Sequence, residues 1–239
     1  MLLDVDLSAA SVLFVGAGKI AGRRLERFDS KPTRIRVVAK EYSDEFLNAL
    51  VGLYREELAD HGVDSAVALG GLLELSNEKP SLRFDLGISR LEIFRRSYDE
   101  RDLDGFGVVF VCSDDRELNQ QVASAQKTHG LFVNNVSDGK GGNLRTVASS
   151  VFANLEIGVL SFEGVPALSS WICQELAKNI SDELDRFVGL CAQVRAEAKK
   201  SGKGPREGAW EAVLNSRALE YLGSGDNDLA IGEIRKCLS

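Results

Sequence analysis

The chain has 239 residues, 44% of them hydrophobic and 27% charged, with a formal net charge of −7. That is enough apolar material for one large domain or a domain with smaller additions, and the negative field works against nucleic acid or an anionic membrane as a partner. Cys112, Cys173, Cys191 and Cys237 form no C-x-x-C pair and, with only His61 and His129 beside them, complete no zinc pattern. They read as free thiols of a reducing cytoplasm, and no metal ligands are expected. No run approaches about 18 uncharged apolar residues, and MLLDVDLSAA lacks the basic-then-apolar order of a signal peptide.

Ser11–Val15 (SVLFV) is a short β-rich run, followed at once by Gly16-Ala-Gly18-Lys-Ile-Ala21-Gly22 and a helical pattern through Phe28. Pro32 ends that stretch, and Ile35–Ala39 (IRVVA) predicts a second strand, completing one βαβ unit. Ser43–Ala59 predicts a helix with Phe46, Leu47, Leu50, Leu53, Tyr54 and Leu58 at helical spacing, most simply a covering layer on the sheet. Residues 60–90, broken by Gly62, Gly70, Gly71, Asn77 and Pro80, predict no definite element. Leu91–Phe94 and Val108–Cys112 predict strands, the second a central parallel one; Glu117–His129 predicts a helix and Leu131–Val136 a strand. This βα alternation marks a doubly wound sheet.

The pattern then changes. Val147–Phe162 predicts two short strands, VASSVF and IGVLSF, and Pro166 opens a helix over Ala167–Val194 with a break near Asn179–Ser181. Ser201–Pro205 is a linker, and Trp210–Leu222 and Asp228–Leu238 predict terminal helices, the last capped by Asp228.

Gly16, Gly18 and Ala21 make a G-x-G-x-x-A turn between strand and helix, the context in which this weak motif points to a dinucleotide. Gly16 permits the tight turn, Gly18 lets the backbone approach a pyrophosphate, and Ala21 permits close helix–sheet packing, with Lys19 and Ile20 in the first helical turn. At the end of the second strand, Glu41 is either a ligand of the ribose hydroxyls or a solvated loop carboxylate, and Lys40 would tolerate a 2′-phosphate; NAD is preferred to NADP. Arg23, Arg24 and Arg27 on the first helix are expected to face solvent or pair with acids.

Two further motifs are Val111-Cys-Ser113-Asp114-Asp115-Arg-Glu-Leu-Asn119-Gln-Gln-Val122 and Val133-Asn134-Asn135-Val136-Ser137-Asp138. With Pro166-Ala-Leu-Ser, Gln174-Glu175-Leu176, Val194-Arg195 and Trp210, they make the chain resemble the siroheme synthase N-terminal region, the precorrin-2 dehydrogenase and sirohydrochlorin ferrochelatase family. The resemblance covers nearly the whole chain apart from residues 60–90. It implies an α/β fold: a Rossmann-type doubly wound parallel sheet (residues 1–146), a small strand-rich dimerisation region (147–180) and a helical C-terminal region (181–239), assembled as a homodimer. It implies NAD-dependent oxidation of precorrin-2 to sirohydrochlorin, with ferrous iron inserted as a second substrate in some members.

The resemblance carries the active-site aspartate over to Asp138, where a carboxylate serves as general base for the proton that must leave with a hydride; the residue types alone read Ser137–Gly142 as a turn. Ser113 and Asp114 would contact the cofactor at the rim of the following strand, while Asp114, Asp115 and Asn119 equally suit N-capping of the next helix. Lys140 and Arg145 would offer positive charge to a polycarboxylate substrate, or lie in a solvated loop. The chain departs from the family after Asp138, where Gly139–Gly142 and Asn143–Ala148 contain no proline, and at Ser161–Gly164. That departure leaves room for a different reading, a Rossmann protein that senses NAD(H) and regulates a partner.

Overall fold

The computed structural model describes residues 5–28, 31–60, 62, 64, 67, 70–71, 81–86, 89–138, 141–162, 164–200, 202 and 204–238. The chain divides into two compact units, Met1–Thr146 and Val147–Ser239.

The first unit runs β1 (Ser11–Ala17), α1 (Lys19–Leu25), β2 (Arg34–Tyr42), α2 (Asp44–Leu53), α3 (Arg55–Asp60), β3 (Ser81–Leu86), β4 (Ser89–Arg95), a 3₁₀ turn (Glu100–Leu103), β5 (Val108–Val111), α4 (Arg116–Ser124), α5 (Gln126–His129) and β6 (Phe132–Asn135). The sheet order is β3-β4-β2-β1-β5-β6. Every pairing is parallel except β3 with β4. The doubly wound sheet expected from the alternation is present, with one antiparallel edge strand added from the stretch where no element was expected. Its chain order reverses at β1 and β5, so the crevice beyond their carboxyl ends is where ligands of such sheets bind.

Apolar side chains on both sheet faces explain the two covering layers. Val12, Phe14, Ile35, Val37 and Phe110 meet Ala21, Leu25, Phe46, Leu50 and Tyr54 on one face. Leu13, Val15, Val109, Val111 and Val133 meet Val122, Ala123 and Leu103 on the other. Ser43 caps α2 by accepting from the Phe46 amide at 3.2 Å. The single helix expected over 43–59 breaks at Tyr54, whose ring is fully buried and whose backbone leaves helical geometry (φ −107°). The helix expected over 117–129 likewise divides at Ala125.

One sheet face is not purely apolar. Arg34 and Arg36 on β2 converge on Glu92 of β4, at 2.6 and 3.0 Å, and Glu92 is only 5% exposed. Arg96 holds the buried Asp102 with two hydrogen bonds of 2.7 and 2.6 Å. The Phe106 ring lies 4.5 Å from the Arg34 guanidinium and 5.0 Å from that of Arg36, so the cations stack on an aromatic face instead of facing water.

The second unit starts with β7 (Ala148–Val151) and β8 (Glu156–Val159), an antiparallel pair. Then come α6 (Pro166–Ala177), α7 (Asp182–Lys200), α8 (Ala209–Leu214), α9 (Ala218–Gly223) and α10 (Asn227–Leu238). The long helix expected from Ala167 stops and restarts near the foreseen break, whereas the helix expected over Trp210–Leu222 is two. The last helix begins one residue earlier than Asp228: Asp226 accepts from the Leu229 amide at 3.3 Å and is the cap. Phe187, Cys191 and Val194 of α7 build a core with Val213, Leu222, Ile234 and Leu238. The β7–β8 turn is fastened to α7 by the buried Asp185, which accepts from the Asn154 amide at 2.8 Å and from its side chain at 3.0 Å. Gly189 makes room for this clasp, since a Cβ there would lie 2.5 Å from Asn154 Oδ1.

All four cysteines are free thiols. No helix among the described residues is long and apolar enough to cross a membrane.

Candidate functional site

The glycine turn leaves β1 with Gly16 at φ +96°, a region that a side chain strains. A Cβ on Gly16 would also sit 2.7 Å from the carbonyl of Cys112 and the amide of Ser113, so β1 and β5 touch backbone to backbone where the sheet opens. Gly18 differs: a Cβ there meets nothing within 4 Å. It precedes α1 without a side-chain cap, and the first-turn amides that follow have no carbonyl of their own helix to bond. A bare, uncapped backbone turn of this kind fits the diphosphate of a dinucleotide. Ala21 is buried against the sheet as expected. Gly22 carries a tighter contact that the motif reading passed over, since a Cβ on it would lie 3.1 Å from the backbone of Glu45 and Phe46, where α1 crosses the start of α2. Lys19 and Ile20 are exposed beside the turn. Lys19 pairs with Glu45 at 3.0 Å, and its hydrogen bond holds the Glu45 carboxyl below its usual range.

Lys40 and Glu41 lie within β2, which continues to Tyr42. The register passes from Val15–Val38 to Ala17–Tyr42, so Ala39, Lys40 and Glu41 bulge opposite Gly16. Both candidates therefore occupy the sheet end that carries the glycine turn, and both are exposed. The Lys40 carbonyl is fixed by Arg95 Nε at 3.2 Å.

Beyond β5, Asp115 is the helix cap, accepting from the Glu117 and Leu118 amides at 3.0 and 3.1 Å. Asp114 does not cap and stands exposed at the rim. Ser113 Oγ accepts from the Asp115 amide at 2.9 Å. Asn119 is neither cap nor rim residue. It is fully buried, and its Nδ2 donates to the Ser113 carbonyl at 2.7 Å and to Ser137 Oγ at 3.1 Å. Asn135 Oδ1 accepts from the Ser137 amide and hydroxyl at 3.0 and 2.8 Å and from the Asp138 amide at 3.3 Å. The exposed Asp138 is thus held by its backbone beside the loop after β5, through side chains of Asn119 and Asn135. Asn119 was expected as a helix cap or cofactor contact and Asn135 was given no role, although both stand in the motifs that prompted the resemblance. Asn119 Oδ1, Asn134 Oδ1 and Asn135 Nδ2 are buried with no hydrogen-bond partner among the described residues.

After Asp138 the chain turns, with the Gly141 amide donating to the Asp138 carbonyl at 2.9 Å, and returns along β6. Asn143 acts as a short stretch of strand: its side chain accepts from the Val133 amide at 2.7 Å and donates to the Leu131 carbonyl at 2.8 Å. Gly142 is pressed against the Val133 carbonyl, where no Cβ would fit. Arg145 is exposed beyond this strap, and Lys140 lies outside the described residues. No group of three or more His, Cys, Asp or Glu among the described residues is placed to hold a metal ion.

A family model described as "Putative NAD(P)-binding" matches residues 3–148. The chain belongs to this family. Beyond it, the chain is 27% identical over 235 residues to a siroheme synthase of Pseudomonas fluorescens (strain SBW25), covering 94% of this chain and 41% of that protein. It is 24% identical over 226 residues to a siroheme synthase of Chromobacterium violaceum, covering 94% and 40%. The chain therefore spans about two fifths of the length of these relatives. Among solved structures, SirC, precorrin-2 dehydrogenase, superposes with a TM-score of 0.62 at 19% identity and 99% coverage of both chains. The resemblance read from the motifs is thereby borne out, and the family assignment gives the glycine turn its ligand class.

Proposed function

We propose that the chain is an NAD-dependent dehydrogenase that oxidises precorrin-2 to sirohydrochlorin in the cytoplasm. The observation that carries this reading is the meeting, at one end of one sheet, of a bare glycine turn at β1 and a carboxylate fastened beyond β6. Gly16 and Gly18 bring the backbone of residues 16–20 to the diphosphate, with Lys19 and Ile20 alongside. Glu41 accepts from the ribose hydroxyls, which favours NAD, with Lys40 beside it. Ser113 and Asp114 line the cofactor at the end of β5. NAD held by these residues would supply the hydride acceptor. Asp138 takes the proton that the tetrapyrrole must release, and its fixed backbone keeps the carboxylate in place without further rearrangement. Lys140 and Arg145 attract the carboxylates of the substrate on an otherwise acidic protein. The names of the similar siroheme synthases and of SirC support this substrate over other anionic ones.

The test is incubation of the purified chain with precorrin-2 and NAD⁺. Appearance of the sirohydrochlorin spectrum at a rate proportional to enzyme is the expected result. Calorimetric binding of NAD⁺ without turnover would make the chain an NAD(H)-responsive regulator instead. Ferrous iron as a second substrate would draw on the same carboxylate, and enzyme-dependent acceleration of iron entry into sirohydrochlorin tests it.

The strand-rich part of the second unit, residues 147–180, is proposed as a homodimer surface, with 181–239 as a helical region. A lone two-stranded ribbon is marginal in water. Here α6 covers it through the buried Ser169 and Cys173, while Val151, Phe162, Leu168 and Trp171 stay largely exposed, Phe162 at 76% and Trp171 at 57%. Exposed apolar side chains recurring through one short segment of the chain mark an association surface. A Trp171→Glu chain is expected to sediment as a monomer at concentrations where wild type is a dimer; a monomeric wild type, or a dimeric variant, would exclude this surface.

A further inference from the structure

Arg24 departs from the solvent-facing role expected for the first helix. Its Nε is buried with no hydrogen-bond partner, and no ion pair or side-chain hydrogen bond to it is found among the described residues. The chain carries 36 acidic against 29 basic residues, yet no acid among the described residues pairs with this half-buried cation. Burial pushes its guanidinium below the usual arginine range, and the nearby Arg27 acts in the same direction. Its electrostatic neighbour of opposite tendency is the Cys112 thiol, but burial pushes that thiol up to about 12, so it is neutral at physiological pH and supplies no counter-charge.

The placement of Arg24 is directional. Side chains on a helix lean towards its N-terminus, so an arginine on the sixth residue of α1 reaches back along the helix towards the sheet end. Cys112, the residue directly after β5 whose carbonyl crowds Gly16, is among the electrostatic neighbours of Arg24. On the same sheet face lie the Phe14, Phe28 and Phe110 rings, whose centroids are 5.0 to 6.0 Å from one another. A planar guanidinium desolvated on one side and left without an acid is ready for an incoming oxyanion, which it binds through paired N–H donors.

We propose that Arg24 is an oxyanion-binding residue of the crevice, its stem and Nε buried and its terminal N–H groups donating to a phosphate or carboxylate oxygen of the bound ligand. This rests on the reading that a dinucleotide and a polycarboxylate substrate share the crevice, and either supplies that oxygen. Arg24 also lies five residues beyond Lys19, outside the backbone turn itself, so its contribution is separable from that of the glycines.

The experiment compares wild type, Arg24→Met and Arg24→Lys as full chains, by calorimetry with NAD⁺, by fluorescence titration with sirohydrochlorin, and by thermal melting without ligand. Arg24→Met is expected to melt higher than wild type, because an unpaired buried cation is removed, and to bind one of the two ligands about tenfold or more weakly. Weakened NAD⁺ binding assigns the residue to the cofactor's diphosphate, and weakened sirohydrochlorin binding assigns it to a substrate carboxylate. Arg24→Lys is expected to recover only part of the affinity, having the charge without the fork. A folded Arg24→Met chain that binds both ligands as wild type does would overturn the inference. If wild type binds neither ligand, the dehydrogenase reading fails, and inorganic pyrophosphate then decides for Arg24: it must raise the melting temperature of wild type and not of Arg24→Met.

Discussion

Replacing Asp138 with asparagine is expected to slow precorrin-2 oxidation by a factor of about 10² to 10⁴, the usual contribution of a positioned general base, while leaving NAD⁺ affinity and the melting temperature close to wild type. The fold engages Asp138 through its backbone: the amide donates to Asn135 Oδ1 at 3.3 Å and the carbonyl accepts from the Gly141 amide at 2.9 Å. An asparagine keeps both of these backbone bonds and replaces a basic carboxylate oxygen with an amide nitrogen. The same geometry makes Asn135→Ala the informative companion. That variant leaves the carboxylate chemically intact but frees its backbone, so turnover should fall by less than in Asp138→Asn. Steady-state oxidation followed by the product spectrum, with NAD⁺ calorimetry as control, separates the two. Full turnover in Asp138→Asn would remove this residue from the chemistry.

The largest expected effect on stability comes from Glu92. Its carboxylate neutralises Arg34 and Arg36 at 2.6 and 3.0 Å with almost no contact with water. Glu92→Ala leaves Arg34 beneath the Phe106 ring without its counter-charge and Arg36 with only the more distant Asp102, at 3.6 Å, and breaking a buried pair in this way costs about 3–5 kcal/mol. For a unit of this size that is a fall in melting temperature of roughly 10 °C, measurable by calorimetry or circular dichroism. The pH dependence has a definite sign. Burial pushes the Glu92 carboxyl up, but the hydrogen bond from Arg34 and the charges of Arg36 and Arg34 outweigh it, so the net shift is downward. A group depressed in the folded state contributes its full stabilisation above the unfolded value, about 4.3 for glutamate, and loses it as pH falls through the folded value. Wild type should therefore lose stability below about pH 4.3, and Glu92→Gln should show a shallower loss over the same interval.

The main sheet was legible in the sequence because SVLFV, IRVVA and VVFVC are apolar on both faces, and because two glycines punctuate the first strand–helix junction. What escaped was decided by contacts between distant segments. The edge strand Ser81–Leu86 lies in a stretch whose sequence is broken by glycines and a proline, and it pairs only through β4. Tyr54 has a helical neighbourhood and breaks its helix because its ring is drawn into the core. The charges in IRVVA and LEIF looked like ordinary interruptions of apolar strands, but Arg36 and Glu92 are direct cross-strand partners. At the candidate site the residue types were visible while their division of labour was not. Asp114, Asp115 and Asn119 were equal candidates for capping, and only the backbone path makes Asp115 the cap and turns Asn119 into a tie between two loops. Arg24 was indistinguishable from Arg23 and Arg27 until the burial of its Nε was seen.

Asn143 has a consequence for what the protein can become. The outermost strand of a sheet ordinarily offers a ladder of unsatisfied amides and carbonyls on which a foreign chain can template itself. By occupying the Leu131 carbonyl and the Val133 amide with one side chain, Asn143 closes that ladder without extending the sheet. With those two groups occupied, the LFVNNV segment offers an incoming strand fewer places to pair.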